Sequence, residues 1–529
     1  MSNVPVLFDV NGCFGKPSSG GADFPTMADR LAHMNRLGVS RALVWNVDSV
    51  QNNALAGNET LLAAIRQAPG AEGRIFPALA VSALTQYEKD GLRRLEAQLR
   101  AIPCRALRFV NTYGRLTLMQ LEPVMRRIRS LRPFLVLKHD QASVADILEF
   151  TRTFPEIHLV LTDVTWGPCV IAFDLLRRRR NILIDISWMH TFHAVELLVR
   201  RFGADRVVFG MGSGSHNGAA IAALARAGIP AEQRHKIAYG NLDRLTGLRT
   251  RAAAMPAWKA NTLWTRFVEG KTLGVDVVDA HGHLGPSGGY VLEEQEEAGQ
   301  LTAGLHDMDR IGIRLLLLSG MQALAGDPVA GNAVVERHLR PHAGRVSGYV
   351  VFNPAYAAEL APRLDGYFSG PVFQGFKTLT SYWGTPITDK RFKPMWDYAA
   401  RHRLPVLSHT WGGSGFDTPA MFRKLAGRYP RVHFILGHSG GSDQGRREAE
   451  SLAADYPNVY LETCGSFCST IRWEETLKRV PVRQVLFGTD AMAHDFNWEL
   501  GRMLSLDVPD RILTPILGTN MRRVLAMRK

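Results

Sequence analysis

Val275-Asp-Val-Val-Asp-Ala-His-Gly-His-Leu284 is a short run rich in β-branched residues that ends in two histidines, His281 and His283, two positions apart. Its composition predicts a buried strand. Side chains at i and i+2 of a strand point to the same side, so the two imidazoles would enter one cavity together. They are half of a divalent-metal site if other strands supply more ligands. A His-x-His pair is also common on surfaces, so the rest of the chain has to decide.

The sequence has 529 residues, 46% hydrophobic and 21% charged, which is enough for two cores of about 250 residues each. The net charge of +14 raises nucleic acid as a partner. However, the basic residues are spread along helical patterns, and this argues for solvated faces instead. The one dense run, Arg177 to Arg180, follows an apolar stretch and reads as the last turn of a helix, where cations are favoured. Five cysteines form no disulfide framework, and Cys464 and Cys468 lack the partner pairs of a zinc ribbon. Free thiols, together with the absence of a basic leader or a membrane-length apolar segment, place the chain in the cytoplasm with no membrane partner.

Asp9-Val-Asn-Gly-Cys-Phe-Gly15 aligns with Asp279-Ala-His-Gly-His-Leu-Gly285. Gly38 then pairs with Gly312, Asn58 with Asn332, Arg108 with Lys377, His139 with His409, Asp163 with His438, Gly212 with Asp490 and Asn241 with Asn520. So many matches in one order predict a duplication. Each half alternates short apolar strands with helical stretches; Asp417 or Thr418, for example, could cap a helix with Pro419 in its first turn. Eight such units per half predict an α/β fold of two tandem (β/α)8 TIM barrels. The expected domains are residues 1–250, a linker and helix at 251–273 with the helix near 258–268, and residues 274–529.

In the second half, His281 and His283 follow strand 1, Lys377 lies on strand 4, His409 follows strand 5, His438 strand 6 and Asp490 strand 8. In a barrel these strand ends converge on the C-terminal mouth, where the active site sits. With the motifs Asp279-Ala-His-Gly-His, Gly375-Phe-Lys, Leu436-Gly-His-Ser-Gly-Gly and Phe487-Gly-Thr-Asp490, the second half resembles the amidohydrolase superfamily of metal-dependent hydrolases. More closely, it resembles the branch that includes aminocarboxymuconate-semialdehyde and resorcylate-type decarboxylases. The resemblance implies that His281, His283, His409 and Asp490 bind one divalent ion, with zinc favoured over manganese, and that His438 and Asp490 act as acid or base. It leaves Lys377 either carboxylated between two ions or holding a substrate carboxylate. Trp411 and His494, on mouth loops, are candidate substrate contacts. The implied reaction is hydrolysis of a small amide, lactone or ester by metal-activated water; the alternative is non-oxidative decarboxylation of a carboxylated aromatic or unsaturated acid.

Two rivals remain. Gly437-His-Ser-Gly-Gly441 fits a serine-hydrolase elbow, but that reading leaves His281, His283 and His409 unexplained and puts Asp490 and His494 only four residues apart. A non-catalytic binding protein draws support from the first half, where Asn11, Cys13, His139 and Gly212 stand at the ligand positions. Two remaining donors do not hold zinc, and Gly210-Met-Gly-Ser-Gly214 is a weak phosphate-loop match. The first half is therefore expected to be a structural partner without metal, packed on the second as an internal pseudo-dimer and possibly copying a family homodimer. Arg108 would allow it to take an anion. A rescued site of Asp9, Cys13, His139 and Asp163 is the minor alternative.

Overall fold

In the computed structural model the described residues are 6–19, 21–111, 116–165, 167–212, 214–248, 261–465 and 469–528. Contacts divide the chain into two compact units, Met1–Lys259 and Ala260–Lys529. The first contains the strands β1 (Phe8–Phe14), β2 (Arg41–Asn46), β3 (Ile75–Val81), β4 (Ala106–Phe109), β5 (Phe134–Lys138), β6 (Leu159–Thr162), β7 (Ile182–Asp185) and β8 (Val207–Val208). The second contains β9 (Val277–Leu284), β10 (Ile313–Gly320), β11 (Val346–Val351), β12 (Phe373–Thr378), β13 (Pro405–His409), β14 (His433–Gly437), β15 (Val459–Glu462) and β16 (Val485–Leu486). Each set forms an eight-stranded parallel sheet in sequential order, with helices between strands. Val10 N donates to Phe209 O in the first unit and Ala280 N to Phe487 O in the second, joining first strand to last. These are the two tandem (β/α)8 barrels expected from the sequence.

The strands read as continuous apolar runs because both faces are covered: β9 is buried at every position. Inside the second barrel Val278, Leu315, Leu317, Tyr349, Leu407, Ile435 and Leu486 pack against Met521 and Val524. The helix that follows the first strand of each barrel, Met27–Leu37 or Glu297–Ile311, ends on a glycine in the left-handed region, Gly38 at φ 73° or Gly312 at φ 94°. A glycine reaches that conformation without a Cβ clash and turns the chain into the next strand.

Buried asparagines make the same bonds in both units. Asn58 donates to Ala80 O and accepts from Ala80 N; Asn332 does the same with Val351. Asn241 donates to Ala204 O and Val207 O, and Asn520 to Val482 O and Val485 O. Asp9 Oδ1 accepts from Asn11 N and Met211 N, as Asp279 Oδ1 does from His281 N and Thr489 N. Each carboxylate ties the first strand of its barrel to the segment after the last.

Three local readings are refined. The helix expected near 258–268 is Thr262–Val268, capped by Asn261; residues 258–260 lie outside the described residues, as does Cys468. The helix Cys169–Arg178 keeps Arg177 and Arg178 in its last turn, while Arg179 and Arg180 lead into β7. Asp417 caps no helix: its carboxylate turns inward to His409.

Candidate metal centre

At the C-terminal mouth of the second barrel, β9 delivers His281 and His283, β12 Lys377 and β13 His409. His438 follows β14 directly, and Asp490 follows the short β16. His281, His283 and Asp490 form a buried set whose donor atoms all lie within 4.8 Å of one another. His283 Nε2 is 2.7 Å and His281 Nε2 3.4 Å from Asp490 Oδ1. His409 ends β13 with its ring 4.9 Å from that of His438, which is itself 5.2 Å from His281; its donor atoms lie outside the set within 4.8 Å. Lys377 Nζ sits 2.5 Å from His281 Nε2, so it lies inside the imidazole cluster.

Three imidazoles have their Nδ1 tied to oxygen. His281 Nδ1 is 3.0 Å from Glu462 Oε2, His283 Nδ1 3.0 Å from Ser319 Oγ, and His409 Nδ1 2.9 Å from Asp417 Oδ2. Such partners fix the ring and its tautomer and would leave Nε2 as the atom to meet an ion. The donor set of three such imidazoles and one buried carboxylate suits zinc and also admits manganese.

The electrostatics agree. Burial, followed by the Lys377 charge, holds His281 well below the ordinary imidazole range; burial likewise lowers His283 and His438. A metal ligand must be neutral, so desolvation prepares these rings. Burial would raise Asp490, but the neighbouring His281, His283 and His494 hold it well below the carboxylate range. His494 is raised despite burial because Asp490 and Glu499 favour its cation; its Nε2 is 3.7 Å from Asp490 Oδ2 and its Nδ1 3.1 Å from Glu499 Oε1. Burial lowers Lys377, opposed by Asp490.

His438 and Asp490 take left-handed backbone, φ 62° and 64°, at a cost on the order of 1 kcal/mol each. The matched positions of the first barrel keep that conformation, Asp163 at 58° and Gly212 at 66°, although the chemistry differs. There Arg108 Nη1 donates to Asn11 Oδ1 and Asn11 Nδ2 to Asp163 Oδ1, while the Arg108 guanidinium stands over the Trp45 ring. Asp9 is engaged by the buried Arg30, which removes it from the rescued site considered above.

Of the candidates on mouth loops, Trp411 stacks on the His409 ring at 11° between planes and lies edge-on to His438. His494 is buried, with its Nε2 3.7 Å from Asp490 Oδ2. Sequence reasoning missed Glu462, Cys464, Asp417, Ser319 and Glu499. Glu462 ends β15 and Cys464 follows it by two residues, with no local pattern to mark either; Cys464 Sγ is 3.1 Å from His281 Nδ1 and 3.5 Å from His438 Nδ1.

The amidohydrolase family profile matches residues 278–527. Among solved structures, 5-carboxyvanillate decarboxylase of Sphingomonas paucimobilis shares 12% identity over 48% of this chain and 99% of its own, with a TM-score of 0.36. For 2,6-dihydroxybenzoate decarboxylase of Rhizobium the values are 13%, 48%, 99% and 0.37. For 5-carboxyvanillate decarboxylase of Novosphingobium aromaticivorans, complexed with manganese, they are 12%, 48%, 96% and 0.39. No curated protein matches the chain.

Proposed function

Given that residues 278–527 belong to the amidohydrolase family, we propose that the second barrel is a metal-dependent carboxy-lyase that removes CO2 from a small aromatic or unsaturated acid. His281, His283, His409 and Asp490 would hold the ion. The ion supplies Lewis acidity that anchors the substrate's carboxylate and an adjacent oxygen. Zinc is favoured by the imidazole-rich donors, with manganese as the alternative.

The observation that carries this reading is the buried Lys377 within the imidazole cluster. Three imidazoles and one carboxylate leave the ligand shell of a dication one charge positive, and Lys377 adds an ammonium on the same side, whereas the carboxylates of Glu462 and Asp417 sit on the far, Nδ1 side of the rings. An anionic substrate balances that charge; a neutral lactone or amide does not. Charge thus favours the lyase over the hydrolase that the sequence reading placed first.

In the reaction the C–C bond to the carboxylate breaks, its electron pair stays on the substrate carbon, and a proton replaces CO2 there. His438 is positioned to move that proton. Its Nδ1 lies beside Cys464, so Nε2 is the atom that exchanges with substrate. Trp411, stacked on His409, offers an aromatic wall against a planar substrate. The ionised Asp490 could instead take a proton during hydrolysis, which gives that second reading its one specific support.

The test is a screen of hydroxylated aromatic acids, unsaturated acids, lactones and amides with the metal-loaded chain, scored for CO2 release against simple hydrolysis. CO2 release that is lost in Lys377→Met, and in a His438→Asn variant that keeps its metal, is the expected result. Hydrolysis of neutral substrates without CO2, unaffected by Lys377→Met, would overturn the proposal.

A further inference from the structure

Beyond the ion expected on the Nε2 side of His281, the geometry points to a second cation site on its Nδ1 side, made by Cys464, His438, Glu462 and His281 itself. Cys464 Sγ lies 3.1 Å from His281 Nδ1, 3.5 Å from His438 Nδ1 and 3.0 Å from Glu462 Oε2. His281, His438 and Cys464 are all buried, and their donor atoms fall within 4.8 Å of one another. With Zn–S near 2.3 Å and Zn–N near 2.0–2.1 Å, tetrahedral ligands stand roughly 3.5 Å apart. Donor separations of 3.1–3.5 Å therefore need only small adjustments to surround an ion.

A thiolate with imidazoles selects a soft or borderline dication such as Zn2+ or Cd2+ over Mg2+ or Ca2+. Binding balances as follows: the dication replaces both the proton of the Cys464 thiol and the ring proton that His281 Nδ1 shares with Glu462, an S–metal and an N–metal bond form, and the two protons leave to solvent through the mouth, which His438 reaches with 8% exposure. Glu462 Oε2 exchanges its contacts with Sγ and His281 Nδ1 for the ion. His281 would then stand between two ions, one at each nitrogen.

The proposal rests on the reading of the first centre only in naming two ions, and the test separates the two. The chain carrying one equivalent of metal is titrated with Cd2+, and thiolate-to-cadmium charge-transfer absorption is followed in the ultraviolet. Absorption should saturate at one further equivalent and vanish in both Cys464→Ser and Cys464→Ala, each checked for a folded chain by circular dichroism. His283→Ala, which removes a ligand of the first centre alone, should keep the band; if its resident metal is also unchanged, the first-centre reading fails while this one stands. No band in the parent, or a band that persists in both Cys464 variants, would overturn the second site.

Discussion

Replacing Asp417 by alanine should weaken metal binding without touching a ligand. Its Oδ2 lies 2.9 Å from His409 Nδ1 and is within 3.3 Å of both Thr380 Oγ1 and Ser381 N. Although burial alone would raise the Asp417 carboxyl, its bond to His409 and the charge of that ring hold it below its ordinary value. The side chain is therefore an anion that fixes the His409 tautomer and makes Nε2 more basic. Loss of such a partner typically weakens metal affinity 10- to 100-fold, or about 1.4–2.7 kcal/mol. Ser381 Oγ, 3.2 Å from the same nitrogen, can partly take over. The single variant should therefore fall near the lower end of that range, and Asp417→Ala with Ser381→Ala near the upper. Asp417→Asn keeps an acceptor and loses only charge, so its loss should be the smallest. Competition with a chromogenic chelator on folded, metal-stripped protein measures all three. Parent-like affinity in the double variant would show that His409 is not held for an ion by Asp417.

Two further outcomes are expected. Burial, with the Arg403 and Arg523 charges, lowers His433 from 6.5 to about 4, so the folded chain favours its neutral ring. That contribution is present above pH 6.5 and is lost as pH falls towards 4, which amounts to about 2 kcal/mol between pH 7 and pH 5. Denaturant unfolding of the second unit's transition at both pH values should show the loss, and His433→Gln should flatten it; an equal loss in that variant would refute the assignment. Elemental analysis of the chain as purified should give about one ion per polypeptide, with all of it gone in a His281→Ala, His283→Ala variant. Metal that remains, traced to Cys13 or His139, would mean that the first barrel keeps a site.

The candidate positions at the mouth were legible because each ends or follows a strand with a strong local pattern, as His281 and His283 do after Val277 and Val278. Of the two cap candidates before Pro419, Thr418 takes the position at the helix start, whereas the Asp417 carboxylate turns in to the ring of His409, eight positions earlier in the chain. Glu462 sits at the end of an ordinary apolar strand, and only barrel closure brings it to His281, 181 positions away. The left-handed backbone of Asp163 and Gly212 could not be read from composition at all, since their sequence matches, His438 and Asp490, are unlike them chemically.

The asparagine clamp of each barrel has a mechanical consequence. Val351, gripped at both its N–H and C=O by Asn332, is the register partner of Lys377; Ala80, gripped by Asn58, is the partner of Arg108. In both barrels the long cation at the mouth therefore springs from a strand braced, one strand away, against an outer helix. A flexible side chain can be aimed no better than its root is anchored, and here the root is stiffened by a brace that never touches the cavity. A load applied at Lys377 would be carried across β11 into the helix Pro328–Leu339, so a loosening of that helix would reach the mouth as a blurred position of its positive charge.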